Sequence, residues 1–219
     1  MAGVAGGTAV RTTVLRSRRR FWTAKDFPDV RPEIADRALS RLADSRELRR
    51  VRKGLYWRGV KTALGMPLPR PDVLAEKIAP VSRGMGPAGL TAAGFLGLTT
   101  QLPRVPSYAV PARAPRPDSV PSTVHLVSRA ACRGRIDAGL SAAEVALLEV
   151  LRNWNGFVEA DDTLAEHTIG SMFERGEMRA SSLCKALPTE PPVVSRELMG
   201  RFGSYLGGSN NPVRGTVSA

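Results

Sequence analysis

The sequence is poor in sulfur and imidazole: 219 residues include two cysteines, Cys132 and Cys184, and two histidines, His125 and His167. With no CxxC spacing and so few scattered soft ligands, no zinc site is legible; both cysteines are read as reduced thiols, and no metal or cofactor is expected. Aromatic residues are scarce, at 5%. Long apolar runs are missing too, since none approaches the roughly 20 residues that span a bilayer. The apolar opening Met1 to Val10 lacks the charged-then-hydrophobic order of a secretory leader. These absences predict a cytosolic chain without a membrane partner.

Acidic residues are in deficit: 32 Lys and Arg face 20 Asp and Glu, a net charge of +12. The excess is uneven. Residues 1–62 hold sixteen basic and six acidic side chains, whereas the rest hold sixteen and fourteen, so +10 sits in front and +2 behind. Basic side chains displace counterions from phosphates, and this asymmetry is the footprint of a nucleic-acid-binding module joined to a nearly neutral second domain. An anionic membrane surface would attract the same charge. A 42% hydrophobic content with 24% charged residues is the globular mix, and the length suits one large or two modest domains.

Along the chain, Val10, Val14 and Leu15 give Thr8 to Ser17 a small helical face, followed by Arg18, Arg19 and Arg20. Phe21-Trp22 reads as a short extended segment. Thr23 with Asp26 resembles a capping box for a turn through Phe27, which Pro28 limits. Pro32 suits the first turn of another helix, in which Ile34, Ala38, Leu39 and Leu42 form the apolar stripe. Leu48 to Val51 and Leu55 to Arg58 are β-prone runs joined by Arg52-Lys53-Gly54, a hairpin with glycine at its turn. Three helical segments and a hairpin predict a winged helix-turn-helix over residues 1–62. The prolines of GMPLPRP predict an extended linker, placed at 63–71.

Residues 72–206 read as a mixed domain. A helix is expected around Val73 to Ile78 and a small-residue helix around Leu90 to Leu98. Strands are expected at Ser107 to Val110 and Thr123 to Val127, on either side of a proline-rich turn. Ser141 and Glu144 form a capping box ahead of a helix so apolar that it must be buried. Further helices are predicted near Asp162 to Glu174, Ser181 to Leu187 and Val194 to Tyr205. Residues 207–219, polar and glycine-rich, read as a flexible tail. The predicted fold class is α+β: an N-terminal winged helix-turn-helix followed by a mixed helix and sheet domain.

The DNA-contact set follows from the first domain. On the outer face of the Pro32 helix lie Arg37, Ser40 and Arg41, with Arg31 just ahead of it, where arginine can address guanine in the major groove. Arg49, Arg50, Arg52 and Lys53 on the hairpin, with Arg18, Arg19 and Arg20, suit phosphates or an adjacent minor groove. A solvated face on a structural domain is the alternative, and Asp36 and Asp44 favour it mildly. Phe21, Trp22, Tyr56 and Trp57 are read mainly as core.

Three enzymatic signals are weak. Gly84, Gly86 and Gly89 form GMGPAG, yet the preceding parallel strand and later acidic residue of a dinucleotide fingerprint are missing, so the segment is read as a loop. His125 and His167 lie apart from any recognisable nucleophile. Asp161, Asp162 and Glu166 are the sole carboxylate cluster a metal nuclease could use, and Asp161-Asp162 more simply starts a helix. No catalytic residue is assigned.

The segments FWTAKDF, RALSRLADSRELRRVRKGLYWRG, GLTAAGFLGLTTQLP and LSAAEVALLEVLRNW together resemble the AbiEi-type antitoxins of bacterial type IV toxin-antitoxin systems, over most of the chain. The resemblance implies a repressor that binds repeats in the promoter of its own operon, and whose C-terminal half counteracts a nucleotidyltransferase-like toxin without requiring a stable complex. Family DNA contacts would fall on Arg31, Arg37, Ser40, Arg41 and the hairpin basics. The proline-rich turn around Pro111 to Pro121 and the glycine-rich tail depart from the pattern. A stand-alone regulator with a ligand-sensing second domain is the other reading; it would need a concave apolar pocket.

Overall fold

The computed structural model describes residues 2–207, so the tail expected at 207–219 lies outside the described residues from 208 onward. The chain mixes helix and sheet and divides into two compact units, residues 1–73 and 74–219, each with its own hydrophobic core and three-stranded sheet.

In the first unit, α1 spans Ala2–Arg16 and starts ahead of the expected Thr8. Its glycines hid it from a propensity reading, because glycine costs a helix roughly 1 kcal/mol relative to alanine. Gly6 nevertheless serves packing: a Cβ there would lie 3.3 Å from Val30 and 3.4 Å from Ile34. Strand β1, Phe21–Trp22, and a 3-10 turn, Ala24–Asp26, follow. The Thr23 N–H and hydroxyl both donate to Asp26 Oδ2, at 2.7 and 3.0 Å.

Helix α2, Pro32–Asp44, buries Ala35, Leu39 and Leu42 with Val10 and Val14 of α1 in one cluster. Ile34 and Ala38, expected in the stripe, are half-buried at its edge. Strands β2, Arg49–Arg52, and β3, Leu55–Trp57, form the hairpin, with Gly54 at φ +73 in its turn, where a side chain would be strained. The sheet order is β1-β3-β2, antiparallel throughout. Trp22, Tyr56 and Arg50 align across it, as do Phe21, Trp57 and Arg49.

The chain after β3 folds back on the hairpin. The Gly59 N–H donates to Met66 Sδ at 3.1 Å, and Arg49 Nη1 donates to the Met66 carbonyl at 2.6 Å. Met66 and Pro69 are buried, so much of the segment expected as linker packs within the first unit. The division between units falls inside α3, Pro71–Ile78.

The second unit continues with β4, Gly86–Pro87; α4, Leu90–Phe95; β5, Ser107–Val110; β6, His125–Ser128; and α5, Gly134–Asp137. Helices α6, Ala142–Val150; α7, Trp154–Phe157; α8, Asp162–Glu174; α9, Ala180–Ala186; and α10, Pro192–Leu206, complete it. β4 pairs antiparallel with β5, and β5 parallel with β6 across the proline-rich connection. Helix α6 is the centre: every residue from Glu144 to Val150 is buried. Its capping box is present, with the Ser141 N–H on Glu144 Oε2 at 2.7 Å and the Glu144 N–H on Ser141 Oγ at 3.2 Å.

GMGPAG is part strand. Pro87 lies in β4, and the small-residue helix expected around Leu90 begins at Leu90. A Cβ on Gly86 would come within 2.8 Å of Val145 Cβ and 3.0 Å of the Ala142 carbonyl, so this glycine lets β4 lie directly on α6.

The buried glutamates of α6 were not foreseen. Glu149 Oε1 receives Arg135 Nη2 at 2.9 Å and Arg152 Nε at 3.2 Å, while Arg129 grips both its oxygens at 2.8 and 2.7 Å. Glu190 receives Arg135 at 2.5 and 2.8 Å and Arg152 at 2.8 Å. Arg135 is wholly buried, and these five side chains staple β6, α5, α6 and the turn after α9 together. Burial alone would push the Glu149 carboxyl up; the Arg129 hydrogen bonds and the three guanidinium charges outweigh it and hold the group low.

Candidate nucleic-acid interface

The sequence-predicted contacts fall on three parts of the first unit. On α2, Arg37 and Arg41 are exposed on the side away from Ala35, Leu39 and Leu42, and Arg31 is exposed at the helix start. Neither α2 arginine has a hydrogen-bond or ion-pair partner among the described residues. Ser40 is half-buried beside Tyr56. Glu33, Asp36 and Asp44 share the helix, so α2 carries three acids against two arginines and is not itself the source of the positive charge. Burial of Tyr56, then the Asp36 carboxylate 3.4 Å from its hydroxyl, raises the phenol above its ordinary range.

At the hairpin turn, Arg52 and Lys53 are exposed and unpaired among the described residues. Arg50 lies opposite Tyr56 in the register. Arg49 is exposed yet committed to the Met66 carbonyl, so its guanidinium is partly occupied in holding the return segment.

Ahead of β1, Arg18 is exposed, but its two neighbours are engaged. Arg19 pairs with Asp26 at 2.6 Å and sits 5.4 Å over the Trp22 ring, and Arg20 Nη1 donates to the Arg58 carbonyl at 3.3 Å. Trp22 and Tyr56 are core, whereas Phe21 and Trp57 are half-buried with ring centroids 4.8 Å apart.

Arg58 escaped the sequence reading. Its guanidinium donates to the Val14, Leu15 and Ser17 carbonyls at 3.0, 2.8 and 2.5 Å, closing the C-terminal end of α1. Arg46 was also passed over. It follows the last turn of α2 at φ +59, the one non-glycine among the described residues with positive φ.

The candidate metal cluster is structural in its contacts. Asp161 caps α8 through the Thr163 N–H at 2.9 Å. Asp162 accepts from Trp154 Nε1 at 2.8 Å and from Arg201 at 3.0 Å, and Glu166 accepts from Arg201 at 2.7 Å. Among the described residues, no group of three or more His, Cys, Asp or Glu is placed to hold a metal ion. His125 is exposed, 3.4 Å from Ser107 Oγ, and His167 is exposed on α8. No described helix is long and apolar enough to cross a membrane.

No protein-family model matches the chain, and no curated protein matches it in sequence. Among solved structures, it is similar to the Rv2827c protein from Mycobacterium tuberculosis, at 18% identity and a TM-score of 0.54, covering 94% of this chain and 81% of that one. That likeness concerns the fold.

Proposed function

We propose that the first unit is a winged helix-turn-helix that binds double-stranded DNA, and that the chain is an AbiEi-type antitoxin. In this reading it represses its own operon at promoter repeats and counteracts a nucleotidyltransferase-like toxin. The observation that carries the DNA reading is the element order of the unit: helix, short strand, helical turn, helix, hairpin, with the three strands in one sheet. In that arrangement α2 is the recognition helix, and Arg37 and Arg41 reach base edges in the major groove. The hairpin is the wing, whose Arg52 and Lys53 meet phosphates, with Arg18 as a further backbone contact. The antitoxin reading rests on the sequence resemblance, with the second unit as the part that acts on the toxin.

The test is a titration of the purified protein against the duplex upstream of its own gene and a scrambled duplex, at several salt concentrations, beside Arg37→Ala/Arg41→Ala. Preference for the upstream duplex that disappears in the double variant is the expected result. Equal, steeply salt-dependent binding to both duplexes would reduce the interface to a phosphate-binding surface, and no binding at low salt would remove the reading.

A further inference from the structure

The end of α2 has a specific geometry. The Glu47 N–H donates to the Leu42 carbonyl at 2.9 Å and the Arg46 N–H to the Ala43 carbonyl at 3.0 Å. These are the two bonds of a Schellman motif, and its left-handed position, normally glycine, is occupied by Arg46 at φ +59. An L-residue is disfavoured there because its Cβ crowds the following carbonyl. The capping bonds are made by the backbone; the Arg46 side chain is exposed and makes no hydrogen bond or ion pair among the described residues.

Arg46 lines a hollow of about 340 Å³ between the C-terminal turn of α2 and the base of the hairpin. Ser40, Arg49 and Arg50 line the same hollow, over an apolar floor that includes Leu48 and Met66. Asp44 is the acid among them. Arg46 and Arg50 beside one concavity suit an anion, while the Arg49 guanidinium is engaged by the Met66 carbonyl at its edge.

We propose that Arg46 is a DNA-backbone contact, that the hollow between α2 and the hairpin seats a phosphate of the bound duplex, and that glycine is excluded from the helix end for this reason. The inference rests on the DNA-binding reading of the first unit and names a residue that reading did not use. It also makes the local fold weaker than it need be, as is common where strain serves a site.

The test is Arg46→Gly in the full chain, with Arg46→Lys as the charge-retaining control. Glycine relieves the strain, so the melting temperature rises, and a folding defect cannot account for lost binding. Loss of one phosphate contact lowers the slope of log K against log salt by about 0.9, equivalent to about eightfold weaker binding at 0.1 M salt. The ratio between upstream and scrambled duplexes stays as in the parent protein, and Arg46→Lys retains the slope. A glycine variant that melts higher but binds with unchanged affinity and slope overturns the inference while leaving the DNA reading intact. Absence of DNA binding by the parent protein overturns both.

Discussion

Single residues here do work that their sequence neighbours do not announce. Arg58 closes α1 from more than forty positions away in the chain, so no local pattern could reveal it. Hydrogen bonds from a charged donor to otherwise orphaned carbonyls are worth roughly 1.5–3 kcal/mol each and are not additive, so Arg58→Ala should destabilise the first unit by about 2–4 kcal/mol. Urea denaturation followed by circular dichroism measures this, and a loss below about 0.5 kcal/mol would show that water replaces the guanidinium adequately. Gly86 offers a second case. Alanine there meets Val145 and the Ala142 carbonyl, and the overpacking should cost about 1–3 kcal/mol. Wild-type stability in Gly86→Ala would mean that β4 can shift off α6. The glycine pattern was visible from the start, but whether it made room for a phosphate or a helix depended on what came to lie against it.

At the scale of elements, the strongest signals were local. Ser141 with Glu144, Pro32 at a first turn and Asp161 ahead of α8 mark helix starts by chemistry within a few residues, and α6, α2 and α8 begin where those signals stand. β4, with only Gly86 and Pro87, had no periodicity to read. The buried Arg–Glu cluster shows the reverse situation, since α6 looked uniformly apolar while Glu144 and Glu149 were to be buried with arginines from four other segments. Removing one partner leaves a buried charge uncompensated, so Glu149→Ala should cost about 3–5 kcal/mol, measurable as a lower urea midpoint.

The same carboxylates set a pH dependence for the second unit. Glu144 and Glu149 both titrate lower in the fold than their ordinary value of 4.5. For Glu144, burial raises the pKa, but Arg179 and the N–H groups of Ser141 and Arg179 together overcome it. A carboxyl depressed by folding contributes stability above its unfolded pKa and loses it as pH falls through the folded one. The unit should therefore keep its urea midpoint down to about pH 5 and lose it progressively below about pH 4.5. In Glu149→Gln that acid dependence should be shallower; an identical profile would assign the loss to other groups.

At the scale of the whole molecule, the charge of the first sixty-two residues and the near neutrality of the rest coincide with a chain that divides near residue 73. On the proposed function the two activities reside in different units and should separate. Arg37→Ala/Arg41→Ala is expected to lose operator preference yet still rescue growth of cells expressing the neighbouring nucleotidyltransferase-like toxin. Loss of rescue in a folded double variant would tie antitoxicity to DNA binding and overturn the division of labour.

The sequence by itself determined the charge asymmetry, the starts of α2, α6 and α8, the hairpin with Gly54 at its turn, and the mixed second domain, because each depends on residues close together or on a simple sum. Only the tertiary structure decided which cations are available and which are occupied. Arg19 and Arg49 read as basic surface in one dimension, yet Asp26 and the Met66 carbonyl engage them. Arg46 has no such partner among the described residues and sits in a backbone conformation that glycine would occupy more easily. An arginine's role is set by the acceptor within about 3 Å of it, and that acceptor is chosen by folding rather than by sequence spacing.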